Sequence, residues 1–523
     1  MSGGDGGRVS RAGLEPDVPP PWGHRPSIYR HIRAHLSTGP LGLTPGGQSL
    51  PDDEVFRSRS PVRRVAELPA EAFGKAWAPD EGRMSAAIFG ALKRATRAPS
   101  QANVRKLYDS VVASWGIDYL VAFRHVLMRD ATVDRPRARA LATWFARGAA
   151  DREVVKWALA TLRVVSRDEV DLLLTLGRHE EFTREAVDAA RDSVGDPDRV
   201  IWELARHAPG WARIHAIWSL AGTSDPAIKS WMLREGFDQP ILIQWTAHRR
   251  ATTGGLLDAL SREQIDDDLL KGAGCILRAL VTTDPETGTP RGMSAYADGA
   301  AAVEAYLGHV LRSAGTLQQF VVVEGLARFC TDGEKDWAAL AAHGWTPERR
   351  ARIERRARGF LARDHCRALA IAGLSEDSAD FDDAVAVAQA LGIDTWDCEF
   401  RRRVGGEDRW YEVMLTDDPD RVERVTALAL ERIPLAEIAT YPHDFNLYLI
   451  VQELRRFPGT GLALVHAALR SPEIGNRTVA LKALAAWGES RWGPETRALL
   501  EAARDIEPED EVRERMGKLL SSQ

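Results

Sequence analysis

The sequence predicts an all-α protein, an α-solenoid of stacked short helix pairs that follows a Pro/Gly-rich N-terminal arm. Apolar residues recur with helical periods through most of the 523 residues, and segments that could form strands are short and scattered. Cap residues followed by proline recur, and they predict helices of roughly 10–15 residues. These pairs include Asp196/Pro197, Asp225/Pro226, Asp418/Pro419 and Ser471/Pro472.

Residues 1–65 form the predicted arm. Proline and glycine recur along it, as in Pro19, Pro20 and Pro21, at a density that prevents long helices. We expect the arm to be partly disordered and to lie against the body. A short helix over residues 27–36 is the exception. It carries two histidines four residues apart, but no third ligand follows nearby, so we predict no metal site. These histidines are His31 and His35.

From about residue 66 the sequence changes to short amphipathic helices, whose wide apolar stripes indicate burial. A stretch rich in turn-forming residues, 281–297, interrupts these helices. It divides the body into an N-terminal helical half, residues 66–295, and a C-terminal helical half, residues 296–523. The stretch is either a hinge between two lobes or a long surface loop.

A weak internal repeat favours stacked helix pairs. Four segments share an arginine, six variable positions and then Leu-Ala, beginning at Arg152, Arg213, Arg421 and Arg477. The pattern resembles the HEAT-type helical hairpin, in which alanine lets two helices approach and leucine fills the gap between repeats. We therefore predict a HEAT-like solenoid. Because the copies are unevenly spaced, an irregular helical bundle stays open as the alternative.

Composition argues against several classes of protein. The net charge of −6 disfavours a polycation built for nucleic acid. The four cysteines form no CxxC pair, so neither a disulfide framework nor a thiolate zinc site is expected. No secretory signal and no apolar run of about 18 residues is present, so we expect a cytoplasmic protein without membrane insertion. Nucleotide-binding motifs and a nucleophile elbow are absent, and we expect no cofactor.

Tryptophan is concentrated between residues 202 and 245. We expect these indoles mainly to fill the gaps between stacked helices. The alternative is an aromatic pocket for an apolar or planar ligand. His215 could also act with Asp225 in acid–base chemistry, but no nucleophile stands beside it, so we expect a structural hydrogen bond instead. The pocket candidates are Trp211, His215, Trp218 and Trp245.

Arginine is concentrated between residues 349 and 367. At a period of 3.6, five of these arginines share one helical face. Such a row could bind phosphates or an acidic partner. The alternative is a solvated face that pairs with acidic residues between 376 and 383. The five binding candidates are Arg349, Arg352, Arg356, Arg363 and Arg367.

Two longer stretches, 210–236 and 452–487, resemble a group of uncharacterised bacterial helical proteins, some of which carry the label limonene hydroxylase. The resemblance covers most of residues 130–520 and supplies no catalytic residue. It implies a monoterpene hydroxylase, an oxidoreductase that acts on a small apolar substrate in a Trp-lined pocket. Such chemistry normally needs haem, flavin or non-haem iron. The sequence shows neither a haem-thiolate loop nor a dinucleotide fingerprint.

We therefore expect a non-catalytic binding or scaffold protein, whose helical-repeat surface engages a macromolecular partner, in the first place another protein. The first alternative is the monoterpene hydroxylase. The second is a helical-repeat protein that binds or repairs DNA, which the net charge disfavours.

Overall fold

The computed structural model describes residues 18–39, 42–55, 79–114, 119–237, 240–282, 292–404, 410–436, 438 and 445–521. Its regular structure is helical, and within these residues the β-type pairing consists of one isolated antiparallel bridge between Leu36 and Leu43. The predicted all-α class is confirmed. None of the helices in these ranges is both long enough and apolar enough to cross a bilayer.

The chain divides into two compact units. The division after residue 361 lies well beyond the position near residue 295 at which the sequence suggests one. The turn-rich stretch 281–297 begins inside a helix that ends at Thr282, and residues 283–291 lie outside the described ranges. The described residues of the first unit fall within 18–55, 79–315 and 322–361, and those of the second within 316–321 and 362–521.

The helices up to residue 361 belong to the first unit, except that α16 begins in the second. They are α1 (Ile28–Ala34), α2 (Pro79–Arg97), α3 (Gln101–Val112), α4 (Leu120–Arg129), α5 (Arg135–Gly148), α6 (Arg152–Val165), α7 (Val170–Leu176), α8 (Glu180–Ser193), α9 (Pro197–His207), α10 (Gly210–Ser219), α11 (Pro226–Arg234), α12 (Pro240–Gly254), α13 (Leu256–Leu260), α14 (Asp267–Thr282), α15 (Gly299–Val310), α16 (Leu317–Thr331), α17 (Trp337–Ala341) and α18 (Pro347–Leu361), with short 3-10 helices at Pro45–Gly47 and Met293–Ala295.

The second unit continues with α19 (His365–Gly373), α20 (Phe381–Ala390), α21 (Trp396–Glu399), α22 (Tyr411–Met414), α23 (Pro419–Arg432), α24 (Phe445–Leu454), α25 (Leu462–Arg470), α26 (Ile474–Trp487), α27 (Thr496–Ile506) and α28 (Asp510–Ser521). A π-helical turn at Phe400–Val404 follows α21, and a 3-10 turn at Glu489–Arg491 follows α26.

Aspartate followed by proline begins helices as the sequence predicts. The side chain of Asp196 accepts a hydrogen bond from the backbone N–H of Arg199 at the start of α9. Asp225 and Asp418 cap α11 and α23 in the same way. Proline fits the first turn because its missing N–H would have had no partner there. The Ser471/Pro472 pair differs, because α26 begins two residues later, at Ile474.

Helices of the first unit pack mainly against near neighbours in sequence. The helices α4, α6, α8, α10, α12 and α14 each contact the next one, and we call them the even-numbered row. Helices α5, α7, α9 and α11 pack on this row, each against an adjacent helix in sequence. Trp157 of α6 lies in the core, fully buried beside Phe123 and Phe145 at ring-centroid distances of 5.8 Å.

The described part of the arm packs on the first unit through aromatic and polar contacts. Trp22 lies 4.8 Å from Trp144 between ring centroids. Arg25 donates to both carboxylate oxygens of Asp151, at 2.8 and 2.6 Å. The N–H of Ile28 donates to the carbonyl of Ala149 at 3.1 Å. Residues 1–17, 40–41 and 56–65 of the predicted arm lie outside the described ranges.

Candidate functional site

Three tryptophans from two adjacent helices of the even-numbered row meet at the surface of the first unit. The ring of Trp245 on α12 lies 4.9 Å from that of Trp211 and 6.1 Å from that of Trp218, both on α10. The indole N–H of Trp218 donates to the carbonyl of Trp245 at 3.0 Å. All three side chains are half-buried. We call these three residues the tryptophan patch.

Helical periodicity explains why the two indoles of α10 share one face. Trp211 and Trp218 are seven residues apart, which is about two turns, and His215 lies between them on the same face. Other sides of the helix carry Ile214, Ala216 and Ile217, which are buried. The core therefore holds α10 in an orientation that leaves the tryptophan face at the surface.

His215 joins the tryptophan patch to charged side chains on α6 and α8. Its Nε2 lies 3.0 Å from Oδ1 of Asp188, and Arg163 donates from Nη1 to Oδ2 of the same carboxylate at 2.6 Å. Burial disfavours the charged form of Asp188. The hydrogen bond with His215 and the charge of Arg163 outweigh it, so the pKa of Asp188 lies below its ordinary value.

The charged side chains continue along the even-numbered row. Arg163 also donates from Nε to Asp192. Arg124 of α4 lies nearby, and burial together with repulsion from Arg163 lowers the pKa of Arg124. Basic groups on α4 and α6 thus lie beside acidic groups on α8, before the aromatic surface begins on α10. We call this set the charged ribbon, and its members are Arg124, Arg163, Asp188, Asp192 and His215.

The pocket candidates Trp211, His215, Trp218 and Trp245 are therefore brought together by the fold. The expectation that these indoles fill the core fits Trp231, which is 5% exposed, but not the tryptophan patch. Trp157 and Trp218 hold the same position in the repeat, yet only Trp157 is covered, because Phe123 and Phe145 pack over it. His215 bonds Asp188, whereas Asp225 caps α11 and pairs with Arg199.

The prediction that five arginines share one helical face is wrong. Helix α18 ends at Leu361, the chain turns, and α19 begins only at His365 after an aspartate in the N-cap position. Arg349, Arg352 and Arg356 lie on α18, whereas Arg363 lies in the turn and Arg367 on α19.

The first two arginines of α18 share one partner. Arg349 and Arg352 contact the two carboxylate oxygens of Glu304 on α15, at 2.9 and 2.6 Å. Much of their positive charge is therefore neutralised within the first unit. The acidic partners expected between residues 376 and 383 are not the ones that these two arginines use.

Sequence reasoning missed that the arginine of the repeat is a buried structural residue in three of the four copies. Arg213 donates from Nε to the carbonyl of Ala208 at 2.7 Å, and Arg477 donates to the carbonyls of Ser471 and Pro472. Arg152 pairs with Asp52 of the arm. The signal was present, because each of these arginines stands on the face that carries the buried leucine of the Leu-Ala pair.

The paired histidines of the arm serve its own fold. His31 Nε2 lies 2.8 Å from the carbonyl of Ser49, and His35 Nδ1 lies 2.8 Å from Oγ1 of Thr44. In the part of the chain that the structure describes, no three His, Cys, Asp or Glu side chains are grouped so that they could hold a metal ion.

No protein-family model matches the chain, and no curated protein matches it.

Proposed function

We propose that this chain is a non-catalytic binding or scaffold protein, and that the tryptophan patch and the charged ribbon together form its partner-binding surface. The observation that supports this proposal is their continuity. Half-buried indoles on α10 and α12 adjoin basic groups on α4 and α6 and acidic groups on α8 through His215.

The chemistry of this surface fits a protein partner better than a nucleic acid. Tryptophan and arginine are the residue types most enriched among those that dominate protein–protein binding energies. Arg163 of the ribbon is flanked by Asp188 and Asp192, so the ribbon presents both signs of charge. Those carboxylates would repel a phosphate backbone, whereas a protein surface that carries both signs of charge can complement them.

The order of helix contacts supports a HEAT-like solenoid within this proposal. A repeat array buries its core between successive neighbours, so contacts join elements that are close in sequence. The even-numbered row has this pattern. Small-angle scattering tests it, because a compact chain of this length would have a radius of gyration of about 24 Å. A clearly larger value supports the solenoid, and a value near 24 Å favours the irregular bundle.

The binding surface is tested by removing two indoles. We expect W211A/W245A to lose the partner proteins that the wild type captures from native lysate under crosslinking, quantified by mass spectrometry. The matched control is W202A, which removes a half-buried indole that lies on α9 between Arg199 and Arg206. Equal capture by all three proteins, or equal loss in both variants, contradicts the proposed surface.

The alternatives are distinguished by different measurements. The monoterpene hydroxylase requires a bound redox group, so iron analysis, an absorption spectrum and turnover of limonene by the purified protein test it directly. DNA binding predicts an affinity that falls steeply as salt rises. Turnover, or salt-dependent binding of duplex DNA, would replace the scaffold proposal with the corresponding alternative.

A further inference from the structure

A second charged site lies on the first unit, where the arm helix meets the body. A cavity of about 560 Å³ is lined by Tyr29, Arg30, Arg33 and Ala34 of α1 and by Arg147 of α5. Its volume is within the range of sites for small molecules. The three arginine side chains are exposed, so the cavity opens to solvent, and Tyr29 forms its buried part with 4% exposure.

The three arginines of the cavity have no acidic partner among the residues that the structure describes. Other arginines of the same region are paired, as Arg25 is with Asp151. The contacts of the cavity arginines are of another kind, since Arg147 lies over the ring of Tyr29, with its guanidinium carbon 5.8 Å from the ring centroid. Three positive charges on one small cavity repel one another, and an anion bound between them would relieve this repulsion.

Tyr29 closes the inner end of the cavity. Its side chain is 4% exposed, and its hydroxyl is buried and out of reach of solvent. The guanidinium of Arg147 lies over the ring, so a ligand in the cavity meets the exposed arginine side chains and not the hydroxyl.

We propose that this cavity binds a small molecule that carries one or two phosphate groups. Guanidinium groups match the oxygens of a phosphate with paired N–H donors, and a phosphate offers enough acceptors for more than one arginine. Because Arg30 and Arg33 belong to the arm and Arg147 to the body, the ligand fastens the arm to the first unit. The site is separate from the tryptophan patch and does not depend on the function proposed for it.

Calorimetry on the full chain tests the site with pyrophosphate, inorganic phosphate and citrate as probes. We expect saturable binding of one pyrophosphate, weaker binding of phosphate, and little binding of citrate. We also expect the melting temperature to rise as the pyrophosphate concentration increases, because pyrophosphate binds the folded state. If citrate binds as tightly as pyrophosphate, the site is a general carboxylate site and the assignment to phosphate is wrong.

Variants assign the binding to these residues. R147Q lowers the affinity for pyrophosphate about tenfold or more, as expected for loss of a charged hydrogen bond, and R30Q/R33Q/R147Q abolishes it. The control R105Q/R129Q/R167Q removes the same charge from exposed positions of the first unit and keeps wild-type affinity.

Three results would overturn the proposal. They are the absence of pyrophosphate binding to the wild type, undiminished binding by the cavity triple variant, and equal loss in the control triple variant. Tighter binding of a duplex oligonucleotide than of pyrophosphate, lost in the cavity variant, would show that the arginines serve nucleic acid instead.

Discussion

Arg152 and Asp52 are 100 residues apart in the sequence and form a buried ion pair. Nη2 of Arg152 lies 2.9 Å from Oδ1 of Asp52, and the backbone N–H of Arg152 donates to Oδ2 at 2.8 Å. Arg152 also contacts Asp53 and Glu181. The pair joins the arm to the first turn of α6, at the arginine that begins the first repeat copy.

Removal of the Asp52 carboxylate is expected to be costly. D52N leaves the guanidinium of Arg152 buried with Asp53 and Glu181 as its remaining acidic partners, and losing a hydrogen bond to a charged group typically costs about 1.5–3 kcal/mol. The control is D192N, whose partner is Arg163 and whose carboxylate is half exposed, so its cost is about 1 kcal/mol or less. Urea unfolding measures both values, and a D52N loss no larger than that of D192N contradicts the role given to the pair.

Two acidic residues one turn apart on α8 are expected to respond to pH in opposite directions. Burial raises the pKa of Glu185 despite the charge of Lys156, whereas His215 and Arg163 overcome burial and lower the pKa of Asp188. A raised carboxyl pKa costs stability above the unfolded value, and a lowered one contributes stability there. At pH 7 we therefore expect E185Q to be more stable than the wild type and D188N to be less stable.

The pH profiles of these two variants separate the causes. The gain in E185Q shrinks as the pH falls toward the ordinary glutamate value of 4.5, because the wild-type residue is then protonated. The loss in D188N persists to lower pH, because the folded-state pKa of Asp188 lies below 3.8. Unfolding free energies measured from pH 7 to pH 4 test both trends, and parallel profiles would show that the two shifts do not differ in sign.

The repeat arginines provide a matched pair in the second unit. Arg477 pairs with Glu507 at 2.7 Å, and both side chains are buried, whereas Arg421 is half-buried and its partner Asp394 is exposed. We expect R477Q to cost about 3–5 kcal/mol and R421Q about 1 kcal/mol or less. Chemical denaturation measures the difference, and equal losses would show that position in the repeat, not burial, sets the cost.

Gly148 at the end of α5 makes room for the arm. A Cβ atom there would lie 2.2 Å from the ring of Trp22, which Tyr108, Trp144 and Phe145 hold in place. We expect G148A to displace Trp22, shift tryptophan fluorescence to the red and speed proteolysis of the arm. G90A on α2 is the control, since its Cβ meets only ordinary contacts and alanine favours helix. Equal proteolysis of both variants contradicts the prediction.

Local chemistry made the helices predictable. Capping by Asp196, Asp225 and Asp418 depends on residues within a few positions, so the sequence shows it directly. The position of Trp218 in the repeat did not predict that it lies at the surface, because the burial of a side chain also depends on residues of the neighbouring helices. Phe123 and Phe145 cover Trp157, and α10 has no such cover over Trp218.

The paired charges were the least predictable feature. Asp52 and Arg152 find each other across 100 residues, and nothing local to either predicts the contact. The prediction of five arginines on one helical face was wrong for a different reason. It assumed one continuous helix, whereas the chain turns between Leu361 and His365. Asp364 was the local sign of that turn, because aspartate often stands before the first residue of a helix.

The position of the arm limits how the protein can be shortened. A version that began at the predicted domain start near residue 66 would lack Trp22, Arg25 and Asp52, and would expose the side chains that they cover to water. Asp151 would then lose its ion pair with Arg25, and Arg152 its ion pairs with Asp52 and Asp53, next to a bare aromatic surface. We expect such a fragment to aggregate, so crystallisation and interaction screens need a protein that includes the arm.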